Sequence, residues 1–402
     1  MPKPSKLPMA AVLVLAAGFF ALFVNGSGRL AVGLTLRPMV EDLKWNRADI
    51  GSAVAVFQVV SAIAMFFAGR LADRVSLRLL ISSGVVVCAF GIGMMGFVSE
   101  PWHVLLLFGL IYGVGNAGCS TPTVGVMVAR TFPGNTGFAN GFVTSGMSLG
   151  QLLIVAVLAA VLVQIGWRSV YFWVAAAHLA LLPLIYFAVP AHSGNGSLAA
   201  QVPREGMSLR EAARTRRFWV LIGVFAVCGL DDFFVTTHLV AYAEDSGVSQ
   251  LFAGNLLAVM GLAALIGVLL AGAFGDKTGP VMPTIASFVL RIACFGLLLI
   301  DSSTISIAVF TLVFGLTFLV TAPLTVLFVR DAFGMKHLGA ISGLITMVHH
   351  TFGGIGAYAG AVIFDANGSY AIAFAIMLAS SVLAVALMLM YQPRPKEGPA
   401  MA

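Results

Sequence analysis

The chain has 402 residues, 60% of them hydrophobic and 9% charged, against roughly 25% charged in an ordinary soluble domain. That composition excludes a soluble globular domain and a disordered chain and implies an integral membrane protein. The net charge of +6 sits in loops and reads as membrane topology, not as a nucleic-acid footprint.

A helix needs about 20 apolar residues to cross a hydrocarbon core of roughly 30 Å. Twelve segments qualify, at 9–34, 49–69, 79–98, 103–128, 138–165, 169–189, 218–243, 251–274, 281–300, 304–328, 339–363 and 370–391. This predicts an all-α membrane protein. Lys3 and Lys6 precede the first run as they would in a signal peptide, but the run is long and no cleavage site follows, so it is read as a retained span. Sixteen of the 22 Lys and Arg residues fall on one side if both termini are cytoplasmic, which predicts that orientation. Of the rest, Arg29 and Arg291 fall inside spans.

In chain order, the first span carries Asn25 and Arg29. The loop after the second reads "GRLADRVSLR", with Gly69, Asp73, Arg74 and Arg78. The fourth span holds Tyr112, Asn116 and Pro122, and its "GVGNAG" lies mid-membrane with no strand before it, so it is no phosphate loop. Residues 190–217, rich in Gly, Ser, Pro and Arg, read as a linker between a first bundle at 1–189 and a second at 218–402. The seventh span contains "CGLDDFFVTTHL", with Asp231, Asp232 and His238, and the eleventh holds His349 and His350. Cys88, Cys119, Cys228 and Cys294 are scattered through spans without metal-ligand spacing and read as packing residues.

The halves repeat. "GRLADR" at 69–74 answers "GAFGDK" at 272–277, so Asp73 corresponds to Asp276 at an offset of 203. "TPTVGVMVAR" answers "APLTVLFVRD" near 201, and "GFANG" at 137–141 answers "GAISG" at 339–343 at 202. A near-constant offset through several helices is a parallel repeat of two six-helix halves.

On these residues the chain resembles a major facilitator superfamily transporter, and the resemblance covers essentially all of it. It implies two pseudo-symmetric six-helix bundles, a central cavity surrounded by spans 1, 4, 7 and 10, and loop residues Gly69, Asp73, Arg74, Arg78 and Asp276 that latch neighbouring helix ends as a gate. "GRLAVGLTLRPMVEDLKWNRADI" and "FFVTTHLVAYAEDSGVS" are further similar to bacterial monocarboxylate-porter relatives. One departure is that those porters usually carry an arginine near the end of the eighth span, where Val268 stands here; the nearest in-membrane arginine of the second half is Arg291.

A charged group at mid-helix costs about 2.5–3.5 kcal/mol on insertion scales unless it is paired or faces water. The 203 offset carries Arg29 onto Asp232, placing a cation and an anion at symmetry-related sites. Two readings stand: Arg29 binds an anionic substrate while Asp232 takes a proton, or the two form an ion pair holding the halves closed. Adjacent helical residues point about 100° apart, so Asp231 is expected to turn into the bundle, with Arg291 as its counter-charge or with Arg291 snorkelling instead. Histidine is the side chain that ordinarily changes charge near neutral pH, so His238, His349 and His350 are relay candidates, with a hydrogen-bonded packing role as the alternative, and two adjacent histidines cannot both line a pore. Asn25, Tyr112 and Asn116, with Gln58, Gln151, Thr317, Thr321 and Tyr358, are candidates for orienting substrate or for helix–helix hydrogen bonds. Pro122 and Pro323 occupy repeat-related places and read as hinges or static kinks.

The sequence therefore predicts a proton-coupled symporter of a small organic anion, a monocarboxylate, working by alternating access as a monomer in a bacterial inner membrane. No cofactor, metal or nucleic-acid partner is expected, and no nucleophile–base motif suggests an enzyme. The alternative is a proton-driven antiporter exporting drugs or hydrophobic metabolites; "GMSLGQ" places Gln151 where such exporters carry proline. A non-transporting sensor would need a signalling domain, for which the linker and tails are short.

Overall fold

The computed structural model describes residues 8–45, 47–191 and 205–392. Among these, eleven helices are long and apolar enough to cross a membrane. The twelfth crossing lies in the helix Thr136–Ala180, whose 45 residues are interrupted at Gly166 (φ 74°, ψ 158°). A helix of that length runs about 67 Å, enough for two crossings, and the positive φ that glycine tolerates supplies the turn between spans 5 and 6. The remaining spans are Met9–Leu43, Arg47–Ala72, Leu77–Met94, Pro101–Thr131, Arg216–Asp245, Gln250–Thr278, Val281–Ile300, Thr304–Phe333, Leu338–Asn367 and Ala371–Leu389.

Spans 4 and 10 are broken at corresponding places. Span 4 runs as a π-helical segment Leu105–Tyr112, a helix Gly113–Gly118, and then Thr121–Thr131. Span 10 is split between Thr304–Phe318 and Thr321–Phe333. Pro122 and Pro323 sit in the first turn of the second segments, where a missing N–H costs nothing. They thus start new segments instead of kinking continuous helices.

Glycines set how closely the spans approach. In "GMSLG", Cβ atoms on Gly146 and Gly150 would strike the backbone of Phe19 and Phe23, so this G-x-x-x-G packs span 5 onto span 1. At the far end of span 1, Arg168, just past the turn at Gly166, reaches Asp42 at 2.6 Å and Trp167 donates to the same oxygen at 3.1 Å. The Arg168 bond first, then the Trp167 bond, holds the Asp42 carboxyl below the usual aspartate range.

The stretch 205–212 returns to the second half. Met207 N–H donates to Phe333 O and Met335 N–H to Glu205 O, a short antiparallel bridge that ties it to the loop before span 11. Ser208 and Glu211 then form a capping box on the helix Leu209–Ala212.

Candidate functional site

The two halves are joined at the end that carries the G-x-x-x-D loops. Asp73 accepts from the backbone N–H of Gly339 (2.9 Å) and Ala340 (2.8 Å), at the start of span 11. Its repeat counterpart Asp276 accepts from Gly137 and Phe138 N–H, each at 2.7 Å, at the start of span 5. Each loop aspartate thus caps a helix of the opposite half, where unsatisfied N–H groups and the helix dipole favour an anion. Burial pushes the Asp73 carboxyl above its ordinary value, against the opposing pull of the two N–H groups. Glycine makes the approach possible: Gly69 meets the backbone of Gly339, and Gly272 that of Gly137.

The arginines differ from expectation. Arg130, in span 4, approaches Asp73 at 3.8 Å and donates to Ala72 O, while Arg330 donates to Pro133 O and Thr136 Oγ1 of the first half. Arg74 is exposed and has no partner among the described residues, because Asp73 points away from it into the other half. Arg78 donates to Val189 O at 2.7 Å and lies over the Tyr186 ring, within its own half. Sequence reasoning missed Arg130 and Arg330, although both stand in the repeated segments it aligned.

Deeper in the second half lies a charge cluster. Arg291, fully buried, reaches from span 9 to Asp232 Oδ1 at 2.7 Å and to Asp231 Oδ2 at 3.7 Å. It also donates to Thr317 Oγ1 and O and packs on the Phe288 and Phe314 rings. Arg291 thus meets Asp231, one of the two arrangements expected for it, and lies closer still to Asp232, because the guanidinium fork is wide enough to span both carboxylates from one side. Ser380 and Ser381 of span 12 donate to Asp231 at 3.1 and 2.9 Å, satisfying it from behind. The side chain of Arg29 lies outside the described ones.

Asp232 turns its other oxygen toward Cys228 Sγ (3.4 Å) and His349 Nε2 (3.8 Å). Cys228 is therefore part of the cluster and not packing alone. The three possible ligand atoms of Cys228, Asp232 and His349 lie within 4.8 Å of one another, but Arg291 already brings positive charge to that carboxylate. His349 is 15% exposed, more than the aspartates or Arg291. His238, by contrast, is engaged in packing: its nitrogens contact Tyr370 OH (3.2 Å) and Ala357 O (2.8 Å). That places it among spans 7, 11 and 12, away from the interface between halves.

A cavity of about 70 Å³ lies between the first half and span 11, lined by Asn25, Gln58, Ser61, Asn116, Pro122 and His350, among others. Asn116 donates to Asn25 Oδ1 and Ser61 donates to Asn116 Oδ1, both at 2.9 Å; Asn25 donates to Cys119 O. The Gln58 amide nitrogen is buried and has no hydrogen-bond partner among the described residues. Tyr112 is fully buried behind this wall, donating to Asn25 O and stacking on Phe57 and Phe108. It braces Asn25 and does not line the cavity. The histidines diverge: His350 lines the neutral cavity and His349 meets Asp232, as the helical step between adjacent residues requires.

A family model described as Major Facilitator Superfamily matches residues 18–357 and again 224–400. The chain belongs to that superfamily of membrane transporters, and it is not an enzyme. It is 26% identical to the uncharacterized MFS-type transporter YcxA of Bacillus subtilis, over 89% of each chain. It is 26% identical to monocarboxylate transporter 13 of Bos taurus, over 85% of this chain and 79% of that one. To the sialic acid transporter NanX of Escherichia coli it is 23% identical, over 92% of each. Among solved structures, the proton:xylose symporter XylE superposes with a TM-score of 0.76 at 17% identity, covering 96% of both chains. The transporter FucP in its outward conformation gives 0.76 at 16% identity, covering 95% of this chain and 99% of that one. These structures share the twelve-helix fold of two six-helix bundles.

Proposed function

We propose that the protein is a secondary active transporter that carries a small organic anion of the monocarboxylate class together with a proton. The observation that carries this reading is the buried cluster of one guanidinium and two carboxylates beside the interface between the halves. With all three ionised its formal charge is −1, and a buried site of that kind demands one further positive charge. A proton near Asp232 and His349 supplies it. Arg29 is the proposed anion site: it lies four residues beyond Asn25 on span 1, a spacing that keeps both on one helix face, and Asn25 lines the cavity.

The size of the described cavity favours a small solute over a drug, since sites for drug-sized ligands usually run about 300–1,000 Å³. The names of the relatives are consistent with organic-anion transport, and XylE is a proton symporter. With residues 1–189 and 218–402 as the rocking bodies and the loop end cytoplasmic, the capped aspartates close the inner face and the molecule stands open outward, a monomer in the plasma membrane of a bacterium. Uptake by Arg29→Ala in proteoliposomes is expected to fall to background, and Asp232→Asn is expected to exchange substrate without responding to a pH gradient. Transport by both variants at the parent level would refute the site.

A further inference from the structure

Spans 2, 3 and 4 enclose an apolar groove of about 530 Å³ on the outside of the first half, lined by Val60, Phe67 and Leu71, Ser83 and Gly84, and Val114, among others. Its floor exists because Gly84 packs directly on Gly118, where a Cβ would sit 2.9 Å from the opposing Cα. That leaves no side chains to fill the space in front. Phe67, Leu71 and Val114 are exposed, so the groove opens toward the bilayer.

Along span 2 the groove extends from Val60 to Leu71, about 16 Å at the helical rise and so about half of a 30 Å hydrocarbon core. It has the length of one leaflet, not of a membrane-spanning partner helix. At its loop end stand two arginines. Arg70 lies two turns beyond the groove residue Ile63, on the same helix face, and Arg74 follows three residues after Leu71. Both are exposed, and neither has an acidic or hydrogen-bonding partner among the described residues, whereas neighbouring Arg78 is held by Val189 O and Tyr186.

We propose that this groove binds one anionic phospholipid of the loop-side leaflet, an acyl chain filling the hollow and the headgroup phosphate resting on Arg70 and Arg74. The opposite face of span 2 carries Met65 and Gly69, which meet Gly343 and Gly339 of span 11. Lipid in the groove therefore supports from behind the helix that closes the loop end.

The test uses the full chain purified in detergent, with dioleoyl phosphatidylglycerol and dioleoyl phosphatidylcholine as probes, read by lipid retention in native mass spectrometry and by thermal stability. At about fivefold per arginine near a headgroup, the parent should prefer phosphatidylglycerol roughly 25-fold at one site. Arg70→Gln with Arg74→Gln should erase the preference and leave weak retention of both lipids. Ala64→Phe, which fills the groove, should lose retention of both. Equal retention of the two lipids by the parent would overturn the proposal, as would phosphatidylglycerol retention unchanged by Ala64→Phe, or a dimer that buries the groove.

Discussion

Asp231 and Asp232 share Arg291 but not their other neighbours. Asp231 is held by the Ser380 and Ser381 hydroxyls, whereas Asp232 faces a thiol and a partly exposed imidazole. Arg291→Met strands both carboxylates, and breaking a buried pair in this way costs about 3–5 kcal/mol. The variant should lose fold stability in detergent by thermal denaturation, and adding Asp232→Asn should restore part of it. Equal stability of Arg291→Met and the parent would show that the cluster carries no structural load. The sequence identified every charged member of this cluster, because an ionised residue within an apolar run is conspicuous. It did not show the pairing: Arg291 comes from another span, and which carboxylate it reaches depends on side-chain reach and helix rotation. Ser380, Ser381 and Thr317 are ordinary hydroxyl residues in their local context, and only the fold gives them partners.

At the level of helices, span 5 depends on Gly146 and Gly150 against span 1. Gly150→Leu would drive a side chain into the Phe23 carbonyl, and overpacking of this kind costs about 1–3 kcal/mol or more. Reduced yield of folded protein by gel filtration is the expected outcome, with Gly134→Leu, at a loop position where a Cβ meets nothing, left unaffected. The loop aspartates form a second helix-level device. Loss of a side-chain cap costs about 0.5–2 kcal/mol, so Asp73→Ala and Asp276→Ala should each shift the population toward an open loop end, measurable as longer spin-label distances across spans 2–11 and 5–8. The repeat offset made this symmetry legible, since Asp73 with Gly339 and Asp276 with Gly137 are related pairs. The identity of the arginine partner was not, because Arg74 is adjacent in sequence while Arg130 is adjacent in space.

For the whole molecule, span number, the two-fold repeat and the superfamily were all readable from apolar length, offset and the G-x-x-x-D loops, since a bilayer imposes those patterns on sequence directly. The shape of the central cavity and the separation of His349 from His350 were not, because they depend on the rotation of each helix within the bundle. The protein combines a neutral wall of Asn25, Gln58 and Asn116 on the first half with a charged cluster behind span 7 on the second. In the proposed cycle the anion and the proton are bound in different halves, so that both must be present before the halves close over them. The most direct measurement is flux of labelled lactate and pyruvate into proteoliposomes with and without an imposed inward proton gradient. Accumulation driven by that gradient, with counterflow persisting in its absence, is the predicted result; no flux of any small carboxylate, or carboxylate flux indifferent to pH, would contradict it.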